Sequence, residues 1–266
     1  MFIVGELING MYKKVAQAMQ ERDSGYIRSL AELQVEAGAD ALDLNCGPLS
    51  RDPLSDMAWL VDVVQKSVKV SLSIDTTKID VMEECLKRLS GVRGIINSSS
   101  ADEERLNRYF ALAKKYNAFL IALTMDKRGV PQDKDRRLEL AAFILDSAQK
   151  SSFPAGDIFL DPVLMPINVA QNQLFDILEA IRDFKILTNP APKVIVGLSN
   201  ISQGAKERSL INRTFVSMAQ GFGLDAAILD PLDEKLMGAL ITADLILSKN
   251  IYCDDYVAAY KKSKTG

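Results

Sequence analysis

The side chains best equipped for chemistry in this chain are short hydrogen-bond acceptors placed at the ends of apolar runs. Glu6 closes FIVGE, with Asn9 just beyond it, and Asp43 and Asn45 lie in ADALDLN. Asp75 ends KVSLSID, Asn97 ends RGIIN and Asp161 ends DIFLD. NAFLIALT runs into Thr124-Met125-Asp126, and KVIVGLS ends in Ser199 with Asn200 next. Asp and Asn groups with no Lys or Arg among them suit a neutral ligand rich in N–H donors. Each also has a plainer use. Asp75 and Asn97 can cap the helices that follow, and Asp161 can hold a turn before Pro162.

The chain has no histidine. A Ser-His-Asp triad, a Cys-His dyad, a His-ligated zinc and a His-held haem are therefore excluded. Catalysis is left to carboxylates, amides, hydroxyls, Lys, Arg or a borrowed cofactor. Cys46, Cys85 and Cys253 form no CxxC pair, so neither a disulfide framework nor an iron–sulfur site is readable. Cys46 reads as a small buried hydrophobe. The turns Gly197-Leu198-Ser199 and Gly221-Phe222-Gly223 can approach a phosphate, although the second reads better as a helix terminator.

Eight strand-like runs must carry these groups: Phe2–Glu6, Ala39–Asn45, Lys69–Asp75, Arg93–Asn97, Asn117–Thr124, Asp157–Asp161, Lys193–Ser199 and Asp225–Asp230. Most are apolar on both alternating faces, as parallel strands buried on both sides are. Helical spacing fills the gaps, in Leu106/Tyr109/Phe110/Ala113, Leu138/Ala141/Leu145/Ala148 and Leu174/Ile177/Leu178/Ile181. Eight βα repeats in 266 residues fit an α/β fold of the (β/α)8 TIM-barrel type, as one domain over residues 1–266. A doubly wound sheet is the competitor, but no GxGxxG turn follows the first strand. In such a barrel the strand ends converge on one rim, and active sites lie there.

Composition narrows the partners. A net charge of −3, with 48% hydrophobic and 25% charged residues, describes a globular protein without a basic footprint for nucleic acid. No run is long enough for a membrane span and no leader is readable at the N-terminus, so the expected compartment is the cytoplasm.

The segments LDLNCG (42–47), SIDTT (73–77), INSSS (96–100), FLDPVLMP (159–166) and VGLSNIS (196–202) resemble the pterin-binding barrel family. That family holds dihydropteroate synthases and folate-dependent methyltransferases. The chain looks most like the branch that methylates a corrinoid/iron–sulfur protein from methyltetrahydrofolate. Dihydropteroate synthases carry a basic residue in G-x-S-R/K, where this chain has Asn200, and bind a pyrophosphate with Mg²⁺. The VGLSN motif with Gln203 and Arg208 downstream matches the methyltransferases.

The resemblance implies that Asp75, Asn97 and Asp161 hold the pterin ring, within a pterin/folate site that also includes Gly197, Ser199, Asn200, Gln203 and Arg208. Gln203 and Arg208 would lie toward the folate tail. Asn200 is implied as the catalytic residue, donating its carboxamide to N5 as the methyl leaves for the Co(I) corrinoid of a partner protein. Such a donor is worth about 3–4 kcal/mol in the transition state. The family also implies a homodimer, a corrinoid/iron–sulfur partner of the acetyl-CoA pathway and no bound metal. Sister enzymes serving O-demethylase or methylamine corrinoid proteins would look alike.

Overall fold

A computed structural model describes residues 1–249; Cys253 lies outside them. Eight parallel strands close into a barrel in chain order: β1 (Phe2–Asn9), β2 (Ala41–Asn45), β3 (Ser71–Asp75), β4 (Gly94–Ser100), β5 (Phe119–Leu123), β6 (Ile158–Asp161), β7 (Lys193–Gly197) and β8 (Ala226–Leu229). All eight expected runs are strands. Most begin a residue or two later than expected, while β1 and β4 run on past Glu6 and Asn97 to Asn9 and Ser100. The expected helical stripes are also present, with Leu106, Tyr109, Phe110 and Ala113 buried along the helix Glu103–Tyr116.

Strand periodicity divides the side chains into two sets. Leu42, Leu44, Leu72, Ile74, Leu120, Leu160, Val194 and Val196 point outward and are buried beneath the surrounding helices. Val4, Ala41, Ile95, Ile121, Phe159, Ile195 and Ala226 point inward and fill the barrel. Phe2 and Phe119 pack against Phe159 at the lower end, with the Lys193 ammonium 4.8 Å from the Phe119 ring centre and Arg93 stacked on the same ring. The lower half is therefore sealed, and a ligand has one entrance, at the strand C-termini.

At that upper end the inward set turns polar. Asp43 shares its face of β2 with Ala41, and Ser73 and Asp75 follow on β3. Asp75 pairs with Asn97 in register across β3 and β4, and Leu123 pairs with Asp161 across β5 and β6. Both register shifts in the barrel fall near this rim, between Gly5 and Ile8 and between Asn97 and Ser99. Bulges of this kind re-aim side chains beside functional sites.

Two glycines bring the first two rim loops together. A Cβ on Gly10 would collide with the Cys46 carbonyl, and one on Gly47 would stand 2.7 Å from the Gly10 carbonyl carbon. Gly47 also has φ +74, which a side chain disfavours. Gly10→Ala should therefore lower the melting temperature by several degrees and misplace Asn45. A melting curve equal to the parent's would contradict that packing.

Candidate active site at the barrel mouth

The mouth is lined by carboxyl groups met by neutral donors. Asp43 is buried, and its Oδ1 accepts from Ser73 Oγ at 2.6 Å and Asn97 Nδ2 at 3.0 Å. That commits the Asn97 amide nitrogen and leaves its Oδ1 as an acceptor without a partner among the described residues. Asn45 Nδ2 donates to Asp75 Oδ2 at 2.6 Å, while Asn45 Oδ1 accepts from the Gly47 amide at 2.6 Å. Burial raises both Asp43 and Asp75 above the ordinary carboxyl range, and Asp75 pushes Asp43 further in the same direction. Both therefore hold a proton more readily than an ordinary carboxyl group does.

Asp161 completes the set from across the barrel. Its Oδ1 accepts from the Val163 amide at 2.7 Å, and its second oxygen has no partner among the described residues. Val163 reaches that position with φ 64, rare for a β-branched residue and found where the surroundings over-determine it. The surroundings here include Arg137, fully buried on the helix Lys134–Lys150. Its Nε donates to the Pro162 carbonyl at 3.0 Å, and its other nitrogens bond the Asp133 carbonyl and Gln173 Oε1. Thr124 donates both its amide and its hydroxyl to the Asp161 carbonyl. Burial lifts the Asp161 carboxyl to about 7.

At the end of β7 the chain folds into a short 3₁₀ turn, Leu198–Asn200. Asn200 is exposed, and its carboxamide has no hydrogen-bond partner among the described residues. Its Nδ2 would stand 3.0 Å from a Cβ on Gly197, so glycine there lets the carboxamide lie back over the strand end. Ser199 Oγ donates to Glu6 Oε1 at 2.6 Å. Gln203 and Arg208 are exposed beyond the turn. Arg208 lies close enough to lower the Glu6 carboxyl against the stronger upward pull of burial, which leaves Glu6 at about 7.

The plainer uses mostly fall away. Asp102 and Lys78 occupy the cap positions of the helices Glu103–Tyr116 and Ile79–Arg88, so neither Asn97 nor Asp75 is a cap. Asp161 does hold its turn, but with one oxygen only. Cys46 is half-buried, and burial raises its thiol, as for an unreactive side chain. The helix Arg208–Gly221 ends just before Gly223 at φ +101. Asp43 and Arg137 matter here although neither belonged to the expected binding set. Asp43 was visible as a rim acceptor, whereas a buried Arg among the charged residues after 126 carries no local signal.

This is a barrel whose mouth offers acceptors to a flat, donor-rich ring. Residues 5–230 match the family described as "Pterin binding enzyme", and the chain belongs to that family. Over 271 residues, covering 100% of this chain and 98% of the relative, it is 29% identical to the methylcorrinoid:tetrahydrofolate methyltransferase of Eubacterium limosum. It is also 29% identical over 239 residues to the methionine synthase of Mycobacterium tuberculosis, matching 85% of this chain but only 20% of that protein. The chain thus corresponds to about a fifth of the synthase. Among solved structures, the dihydropteroate synthase of Coxiella burnetii with pteroic acid superposes with a TM-score of 0.66 at 16% identity, covering 92% of this chain and 93% of that one. The Thermus thermophilus dihydropteroate synthase gives 0.59 at 20% identity, covering 88% and 91%. At such identities the synthases share the fold alone.

The raised acids make stability depend on pH in a definite direction. Asp161 ionises at about 7 when folded, against 3.8 ordinarily, so the folded chain binds the extra proton between those values. Its contribution is favourable at low pH and is lost as pH rises from about 4 to about 7. Asp161→Asn keeps an acceptor for Val163 and removes the ionisation. It should be more stable than the parent at pH 8 by on the order of 2–4 kcal/mol, with the difference vanishing only below about pH 4. Equal melting temperatures at pH 8 would refute the buried-acid assignment.

Proposed function

We propose that this protein transfers a methyl group between N5 of methyltetrahydrofolate and the cobalt of a corrinoid carried by a partner protein. One observation carries the reading: Asp75, Asn97 and Asp161 present free acceptor oxygens at the same mouth where Gly197 lets the unpartnered Asn200 carboxamide lie back over the strand end. A pterin edge bears an exocyclic NH₂ and adjacent ring N–H groups, and a carboxylate accepts two such bonds in one plane. An acceptor left unpaired in such a site costs about 1–3 kcal/mol, which selects for that edge.

The difficulty in the reaction lies at N5, which becomes a poor leaving group as its bond to the methyl breaks. Asn200 Nδ2 supplies a hydrogen bond that strengthens as charge develops there. An amide cannot release its proton near neutral pH, so its effect is electrostatic. The relative from Eubacterium limosum is named for the direction from methylcorrinoid to tetrahydrofolate. A site complementary to one transition state serves both directions, so the reading covers either.

The finer assignments extend the same proposal. Ser199 holds the turn, and Gln203 with Arg208 meets the aminobenzoyl-glutamate tail, where Arg fits a carboxylate bidentately. The partner is the corrinoid/iron–sulfur protein of the acetyl-CoA pathway, touched by Met125 and the loop 126–135. The name of the Eubacterium limosum relative keeps a second reading in view, a different methylcorrinoid protein, and a panel of purified corrinoid proteins separates the two. No helix among the described residues is long and apolar enough to cross a membrane. A cytoplasmic setting suits a Co(I) substrate, which survives only under reducing conditions.

The homodimer belongs to this proposal as well. Phe175, Leu210 and Met218 are exposed apolar residues lining one groove between the helices Leu174–Phe184 and Arg208–Gly221. Exposed apolar patches of this kind mark association surfaces. Phe175→Glu should convert a dimer to a monomer in light scattering, whereas an unchanged mass would remove this face as the interface.

The reaction is tested by mixing the protein with methyltetrahydrofolate and a Co(I) corrinoid and following loss of the Co(I) absorption. The parent should consume Co(I), and Asn200→Ala should do so about 10²–10³-fold more slowly. A parent that binds methyltetrahydrofolate yet leaves Co(I) untouched would make it a pterin-binding module instead.

A further inference from the structure

The Asn200 carboxamide has no hydrogen-bond partner among the described residues, so its direction depends on how the turn beneath it is held. Besides backbone hydrogen bonds, among them the Gln203 amide to the Asn200 carbonyl at 3.2 Å and the Ile167 amide to the Ile201 carbonyl at 2.8 Å, two side-chain tethers hold that turn. Ser199 Oγ donates to Glu6 Oε1 at 2.6 Å, joining residues 193 positions apart and linking the β7 end to the bulged part of β1. The Ser199 carbonyl accepts from Ser202 Oγ at 3.4 Å, and Ser202 Oγ accepts from Arg208 Nε at 3.2 Å. The second tether is longer and runs through the buried Ser202 to the exposed Arg208. The first is short and ends on a carboxyl group deep in the mouth.

We infer that Glu6 is a positioning residue for methyl transfer, acting through the Ser199 hydroxyl to fix the turn that presents Asn200. This inference rests on the methyl-transfer reading above. Glu6 touches neither the pterin acceptors nor Asn200 through any hydrogen bond, so its influence runs through Ser199. Its surroundings make that influence tunable. Asp43 from β2, Asp230 from just beyond β8 and Tyr12 from the loop after β1 all face it, as does Arg208 from the helix Arg208–Gly221. Burial and the neighbouring acids oppose ionisation of Glu6, while Ser199 and Arg208 favour it, with balance at about 7. An ionised carboxylate is the stronger acceptor for a hydroxyl, so the tether tightens as pH rises through that value.

The test compares parent, Glu6→Gln, Glu6→Ala and Ser199→Ala in three measurements. The first is single-turnover loss of Co(I) absorption at saturating methyltetrahydrofolate from pH 6 to pH 8.5. The second is the dissociation constant for methyltetrahydrofolate, and the third is hydrogen–deuterium exchange of the peptide spanning 198–206. Glu6→Ala and Ser199→Ala should slow transfer at least about tenfold and speed exchange in the turn, and Glu6→Ala should change the dissociation constant less than about threefold. Glu6→Gln keeps an acceptor oxygen and loses the charge. It should match the parent near pH 6 and fall progressively behind it above pH 7.

Parent-like rates in both alanine variants would overturn the inference. So would a parent-to-Glu6→Gln ratio that is constant with pH, or turn exchange indifferent to Glu6. If the parent itself leaves Co(I) untouched while exchange in the turn still depends on Glu6, the methyl-transfer reading fails and the tether stands.

Discussion

The structure depends on keeping ionisable acids buried or half-buried in the barrel mouth with neutral groups as their closest partners. Asp43 and Asp75 lean on Ser73, Asn97 and Asn45, Asp161 on the Val163 amide, and Glu6 on Ser199. A buried lysine or arginine in ion-pair contact would stabilise these carboxylates and also satisfy them, leaving nothing for a ligand to do. Amides and hydroxyls compensate only in part, so each acid stays above its ordinary range and retains unspent acceptor capacity. Other features follow from that constraint. The aromatic plug below excludes water from the far end, and the Gly10–Gly47 contact brings together the loops that hold Asn45. The buried Arg137 fixes the loop beside Asp161 by bonding backbone carbonyls and leaves the acid itself unpaired.

Fold and site were legible to different degrees. The alternation of two apolar faces in segments such as KVIVG and FIVGE requires burial inside and outside, and eight such segments spaced by helical stripes leave few arrangements. The positions of Asp75, Asn97 and Asp161 followed, because period two decides which face a strand-end residue takes. Local rules failed where two candidates competed for one task. Asn97 and Asp102 both stand ahead of the helix Glu103–Tyr116, and only the continuation of β4 to Ser100 gives the cap to Asp102. Contacts such as Glu6 to Ser199 and Arg137 to Pro162 join distant segments and leave no periodic trace.

The same scaffold appears in dihydropteroate synthases, and a shared barrel does not decide between chemistries. The end of β7 bears on the difference. Asn200 follows Ser199 there, and among the described residues the cation facing Glu6 is Arg208, an exposed side chain committed to Ser202. A neutral donor at that point suits charge building on a ring nitrogen better than it suits a departing pyrophosphate.

Recognition of the pterin edge by half-protonated buried acids is tested most directly by calorimetry. Methyltetrahydrofolate is titrated into the protein near pH 6.5 in two buffers of different protonation enthalpy. Ring N–H donors favour ionised carboxylates, so binding should release protons at that pH, and the release should fade by pH 8.5, where Asp161 is already ionised. Binding with no proton exchange, or with net uptake, would contradict it.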